Sequence, residues 1–218
     1  MKTKSNCRVL MLSSVVCLLP LILSVMVYND LPEQIAVHWN TSGNPDTTLP
    51  KVVAAFGLPL LILALNLLSK AKLYTDPARD DVSGAMRVIA EWLPPVVSLV
   101  AVPITLFVAM GINIPITVVI PALMGVIFMI VGNYLPKSRR NYTVGIKLPW
   151  TLHNDDNWNK THRLAGYLWM LGGILLIIGT FVANNQIFIT VLTVIIAILL
   201  IGIPVLYSCL QYRKNGKE

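Results

Sequence analysis

The chain has 218 residues, 56% of them hydrophobic and only 12% charged, with a formal charge of +7 at neutral pH. That balance excludes a disordered chain and an ordinary soluble domain, and it points to one polytopic membrane bundle. Six apolar runs carry the excess hydrophobicity: Val9–Val27, Val52–Leu68, Leu93–Ala109, Ile116–Tyr134, Leu164–Ala183 and Ile187–Tyr207. Each is about 17–21 residues long, enough for a helix to cross a hydrocarbon core roughly 30 Å thick, and none contains Asp, Glu, Lys, Arg or His. In lipid every backbone polar group must be satisfied internally, so the expected fold is an all-α, six-helix transmembrane bundle.

Sixteen of the 17 Lys and Arg residues precede the first run, lie between the second and third or the fourth and fifth, or follow the sixth. Only Lys51 falls in the other set of loops. Basic loops are retained in the cytoplasm, which predicts both termini inside the cell. The charge is thus a sidedness signal, and no direct nucleic-acid binding is expected.

In chain order, the first run reads as a retained anchor: it is too long for a signal peptide and no small-x-small cleavage site follows Val27. Cys7, Cys17 and Cys209 are odd in number and on the inner side or within the membrane, so no disulfide framework is expected. The segment Asn29–Lys51 is the one sizeable outer loop. From Gln34 to Asn40 it alternates, with Ile35, Val37 and Trp39 on one side, as a half-buried strand does; Gly43, Asn44 and Pro45 then supply turn chemistry. Such a strand caps helix ends or offers an edge to an incoming peptide. His38 lies near Asp30, Glu33 and Asp46, but one imidazole without a thiolate or ligand spacing predicts no metal site.

Pro20, Pro59, Pro94, Pro95, Pro103, Pro121 and Pro204 lie in or beside the runs and predict kinked or broken helices. Spacings of seven pair Gly125 with Gly132, Gly166 with Gly173, and Gly172 with Gly179 on common helix faces, which predicts close helix packing.

The inner loop Leu135–Arg163 holds most of the remaining information. Lys137, Arg139 and Arg140 suit anionic head groups of the lipid bilayer. The stretch Tyr142–Trp150 is expected to be extended or turned, because Gly145 and Pro149 preclude a regular helix. Asn154 is an N-cap, followed by Asp155 and Asp156 in the first turn of a helix that runs on into the fifth span. On that helix Trp158, Thr161, His162 and Ala165 share one face, readable as a small recognition surface, and Asp156 pairs with Lys160. No nucleophile, phosphate loop or buried carboxylate pair accompanies His153 or His162, so neither enzyme activity nor a cofactor is expected. Runs without ionisable groups also speak against ion-coupled transport.

Two motifs in this order are specific. The segment Leu31–Asp46, LPEQIAVHWNTSGNPD, resembles the DUF1648 membrane module, and Gly132–Gly166 is similar to the signature of the SdpI/YfhL family, with Gly-Ile, Pro-Trp-Thr-Leu and Trp-x-x-Thr-His in sequence. Lys147-Leu148 departs from the Arg-Thr usual before Pro-Trp, keeping the charge and losing a hydroxyl. The resemblance implies a DUF1648-like module over 1–70 and an SdpI-like module over 71–218. It also implies a multi-pass immunity protein of a bacterial plasma membrane that protects against a secreted membrane-active toxin peptide and holds a cytoplasmic repressor at the membrane. His38, Trp39, Asn40, Gly43, Pro45 and Asp46 would face the toxin. Asn141, Gly145, Lys147, Pro149, Trp150, Trp158, Thr161 and His162 would form the inner signature loop, setting the bundle's conformation or docking the repressor. The alternative is a permease-like protein for a lipid-like or peptide solute.

Overall fold

The computed structural model describes residues 2–40, 43–182 and 185–215. Six helices are long and apolar enough to cross a membrane, as the six runs predict. The chain is a multi-pass membrane protein. Lys217, one of the basic residues after the sixth run, and part of the short connection between the fifth and sixth runs lie outside the described residues.

Two compact units form, Met1–Tyr74 with Val88–Pro115, and Thr75–Arg87 with Ile116–Glu218. In the first unit the leading span is broken: α1 (Lys2–Leu18) and α2 (Pro20–Val27) meet at Leu19, where Pro20 takes the first helical position. Strands β1 (Gln34–Trp39) and β2 (Pro45–Pro50) form an antiparallel hairpin. A π-helical turn at Val53–Gly57 then leads into α3 (Leu58–Thr75), and α4 (Gly84–Ala109) closes the unit. Leu31 and Ile35 are buried against Ala54, Ala55, Val102 and Leu106, with Val37 and Leu49 beside them, so the hairpin's apolar side caps helix ends.

The second unit is built on α5 (Ile116–Tyr134), the short α6 (Pro149–His153), α7 (Asp155–Val182) and α8 (Gln186–Asn215). The glycine spacings resolve into two seams. A Cβ on Gly125 would stand 2.7 Å from the Gly173 carbonyl oxygen, and one on Gly132 would stand 2.9 Å from that of Gly166, so α5 and α7 touch backbone to backbone. Gly172 and Gly179 face α8 instead, receiving Ile196, Leu200 and Leu192.

Proline removes an N–H from the helical ladder and leaves the carbonyl four residues earlier without its donor. Three such carbonyls are met by a side chain from another helix. Ser24 Oγ donates to Ala55 O at 2.7 Å, four residues before Pro59. Lys70 Nζ donates to Glu91 O at 2.7 Å, four before Pro95. Trp169 Nε1 donates to Leu200 O at 3.0 Å, four before Pro204.

Lys70 corrects the expectation of a bundle interior without charge. Helices α3 and α4 extend beyond the apolar runs, so Lys70, 1% exposed, and Glu91, 6% exposed, lie inside spanning helices. Lys70 Nζ also donates to Asn66 Oδ1 at 2.6 Å, and Asn66 Nδ2 donates to Ser13 Oγ at 3.3 Å. The lysine therefore has a structural task, since it satisfies a carbonyl that hydrocarbon could not. Ser24→Ala, Lys70→Met and Trp169→Phe should each lower unfolding free energy in detergent by about 1–3 kcal/mol, the cost of an unsatisfied buried acceptor. Thr193→Val removes only a hydroxyl that bonds Ile189 O in its own helix and should cost less. Equal losses in all four variants would refute the assignment.

Candidate functional site

Two loops hold the residues singled out from the sequence, one in each unit. The hairpin is pinned by backbone and side-chain hydrogen bonds on either side of its turn. Asn40 closes its turn: the Asn40 N–H donates to Asn44 O at 2.8 Å, and Asn40 Oδ1 accepts the Asn44 N–H at 3.0 Å. Gly43 sits at φ 77°, a left-handed conformation that favours glycine. Pro45 begins β2, where a missing N–H is tolerated. Asn40, Gly43 and Pro45 thus shape the turn.

The ladder shifts register on both sides of His38, between Ala36 and His38 and again between His38 and Trp39. Such irregularities re-aim a side chain. His38 is 68% exposed, and its Nδ1 lies 2.6 Å from Asp46 Oδ1 across the strands. Trp39, opposite Pro45, is half-buried. At the base, Lys51 Nζ donates to Glu33 Oε1 at 2.6 Å and stands 5.1 Å above the Tyr28 ring. The Glu33 hydrogen bond holds the Lys51 amine above its usual range, partly offset by desolvation.

The inner loop is folded onto α7 and α8. Asn141 is fully buried; its Oδ1 accepts the Thr143 and Val144 N–H groups at 3.0 and 2.7 Å, while Nδ2 donates to Arg139 O at 2.9 Å. Gly145, at φ 121°, then brings the backbone down onto α7. A Cβ there would collide with His162 Nε2 and come within 3.0 Å of the Trp158 ring. In its absence the Ile146 N–H donates to His162 Nε2 at 2.9 Å. An accepting Nε2 leaves the proton on Nδ1, which donates to Trp158 O at 2.8 Å, so the imidazole is neutral and its tautomer fixed. The ring stacks on Trp158 at 3.9 Å, and Trp158 Nε1 donates to Ser138 O at 3.0 Å.

The shared face of Trp158, Thr161, His162 and Ala165 therefore exists, but it is fully buried. Its reading as a recognition surface is corrected, because apolar and aromatic bulk at this spacing is drawn under the loop. Asn157 holds the next layer: Oδ1 accepts from Ser208 Oγ at 2.6 Å and from Thr161 Oγ1 at 3.1 Å, and Nδ2 donates to Ser208 O. Trp150 Nε1 donates to Ser208 Oγ at 2.8 Å and its ring stacks on Tyr212.

Pro149 starts the short α6 at its first position, where the sequence suggested only a barrier to helix. Leu148 at the N-cap has no hydroxyl to offer the helix, but Thr151 Oγ1 accepts the Leu148 N–H at 2.9 Å, the reciprocal half of a capping box. Lys147 Nζ donates to Thr143 O at 2.9 Å. Asn154 caps α7 as expected, accepting the Asn157 N–H at 2.9 Å, and Lys160 pairs with Asp156 at 2.7 Å. Asp76 fastens the loop: its Oδ2 accepts the Tyr142 N–H at 2.9 Å and Thr143 Oγ1 at 2.5 Å. Asp76, Asn157 and Ser208 escaped the sequence reading, and Thr151 was visible there only as the Thr of the Pro-Trp-Thr-Leu motif.

Residues 137–208 match the SdpI/YfhL protein family, and residues 15–63 match the domain of unknown function DUF1648. The two matches fall in the same order as the two motifs that resemble these families in the sequence. It is also 23% identical over 209 residues to "Immunity protein SdpI" of Bacillus subtilis (strain 168), covering 95% of this chain and 98% of that one. No solved structure matches it. The SdpI/YfhL match takes in Asn141, Gly145, His162, Trp150 and Ser208, and the DUF1648 match takes in the hairpin with His38 and Asp46.

Proposed function

We propose that this protein is a membrane immunity protein that protects its cell from a secreted membrane-active toxin peptide. End-to-end similarity to a protein named for immunity carries the reading. The distribution of basic residues puts both termini and the inner loop in the cytoplasm, and the hairpin outside. The hairpin then offers the toxin an exposed His38–Asp46 pair beside Trp39, on a support anchored by Ile35. The inner loop, with its side chains buried under Gly145, sets the conformation of the bundle's cytoplasmic end. Any repressor held there meets the exposed Tyr142, Pro149 and His153 instead of Trp158 or His162. Lys137, stacked 4.4 Å above the Tyr134 ring, faces anionic head groups at the same surface.

Expression in a host sensitive to such a peptide should restore survival. His38→Ala with Trp39→Ala should abolish protection while membrane abundance stays that of the parent. A host killed equally with and without the protein would overturn the reading. Full protection by the double variant would remove the hairpin from it.

A further inference from the structure

An open cleft of about 470 Å³ lies in the second unit, between the turn after Asp76, the loop at 139–142 and the start of α7. Asp81, Arg139, Arg140, Tyr142, Asp155 and Asn159 line it. The two cationic side chains differ in what they already hold. Arg140 is committed: its Nε is 2.7 Å from Asp155 Oδ1, and NH1 donates to Leu152 O at 2.6 Å. Arg139 is exposed, and among the described residues no protein group meets its guanidinium. The Asp81 carboxylate is likewise without a protein partner among the described residues. The Arg139 N–H donates to Asp81 O at 3.0 Å, so the free cation and the free anion spring from adjoining backbone.

Charge decides the ligand class. Two guanidinium groups face two carboxylates, so a polyanion would gain Arg139 and meet Asp81 and Asp155 at close quarters. A molecule bearing a phosphate and a primary ammonium a few ångströms apart matches both signs. Location decides the source. The loop leaves α5 through Leu135–Lys137, directly after Tyr134 with Lys137 above its ring, an aromatic and basic pair of the kind that settles at the head-group level.

We propose that this cleft binds the head group of an aminophospholipid, with the phosphate on Arg139 and the ammonium on Asp81. Guanidinium is suited to the phosphate because two parallel N–H donors meet two oxygens. The carboxylates select a primary ammonium over choline, whose methylated nitrogen has no N–H to donate.

The test uses the full chain in nanodiscs holding equal phosphatidylethanolamine, phosphatidylglycerol and phosphatidylcholine, released for native mass spectrometry. Phosphatidylethanolamine should be retained about tenfold over either of the others, the scale of one charge-assisted hydrogen bond. Arg139→Gln should lower that retention about tenfold, and Arg139→Lys should restore only part of it. Asp81→Asn should erase the preference over phosphatidylcholine. Thermal midpoints report whether each variant remains folded; both side chains reach solvent. Phosphatidylglycerol retained as strongly, no lipid retained, or retention unchanged in both folded variants would overturn the proposal. Complete displacement by soluble phosphoethanolamine would overturn the lipid as the source.

Discussion

Gly145→Ala will lower the thermal midpoint of the detergent-solubilised protein by roughly 10 °C, taking about 2–4 °C per kcal/mol for a chain of this size. The loss has two origins. An L-residue at φ 121° is strained by about 1–3 kcal/mol. The new methyl also strikes His162 Nε2 and crowds Trp158, and overpacking of this kind costs about 1–3 kcal/mol. Moving the loop away to relieve the collision breaks the Ile146–His162 bond, leaving a buried imidazole nitrogen unmatched. Gly84→Ala is the control, since a Cβ there meets nothing within 4 Å. Because the same glycine positions the whole inner loop, limited proteolysis across 140–148 should accelerate in the variant. An unchanged midpoint and an unchanged cleavage rate together would sink this account of the loop.

Gly173→Leu should be as severe in the other half of the same unit. Its Cβ would lie 2.5 Å from Gly125 O and 2.7 Å from Met129 Cγ, and the backbone oxygen has nowhere to retreat along a helix. The helices α5 and α7 must separate, which forfeits contact along the whole Gly125–Gly173 and Gly132–Gly166 seam. A loss of at least about 3 kcal/mol is expected, read as broadened size-exclusion elution and a lowered midpoint. Hydrophobicity rises in the variant, so insertion is not the step at risk. Gly202→Leu, with open space around its Cβ, should elute as the parent does. Equal behaviour of the two variants would refute the seam. The contact also leaves no room for a solute between α5 and α7, which counts against a permease path there.

The spans were legible because length and apolarity in lipid admit few alternatives. The glycine seams were legible because a period of seven puts two residues on one face, and the absence of a side chain has one common use there. The hairpin was half visible: β1 alternates, whereas β2 reads Pro-Asp-Thr-Thr-Leu-Pro, with little strand character, and pairs because β1 and the turn present it with a partner. In the inner loop the face on α7 could be drawn from spacing, but not its direction. What turns it inward is Gly145, thirteen and seventeen residues away in sequence from the Trp158 and His162 rings it covers, and Asp76, further still. Contacts of that range leave no local pattern. Lys70 was missed for a related reason: its value lies in a carbonyl on another helix, visible only when Pro95 is counted back by four.

The three proline carbonyls have a directional property. Ser24 precedes Ala55, Lys70 precedes Glu91, and Trp169 precedes Leu200, and in each case the donor belongs to the span immediately upstream. During synthesis from the N-terminus, every helix that arrives in the bilayer with an exposed oxygen finds its complement already inserted. Reversing one such order by circular permutation would bring the bare oxygen into hydrocarbon before its complement exists.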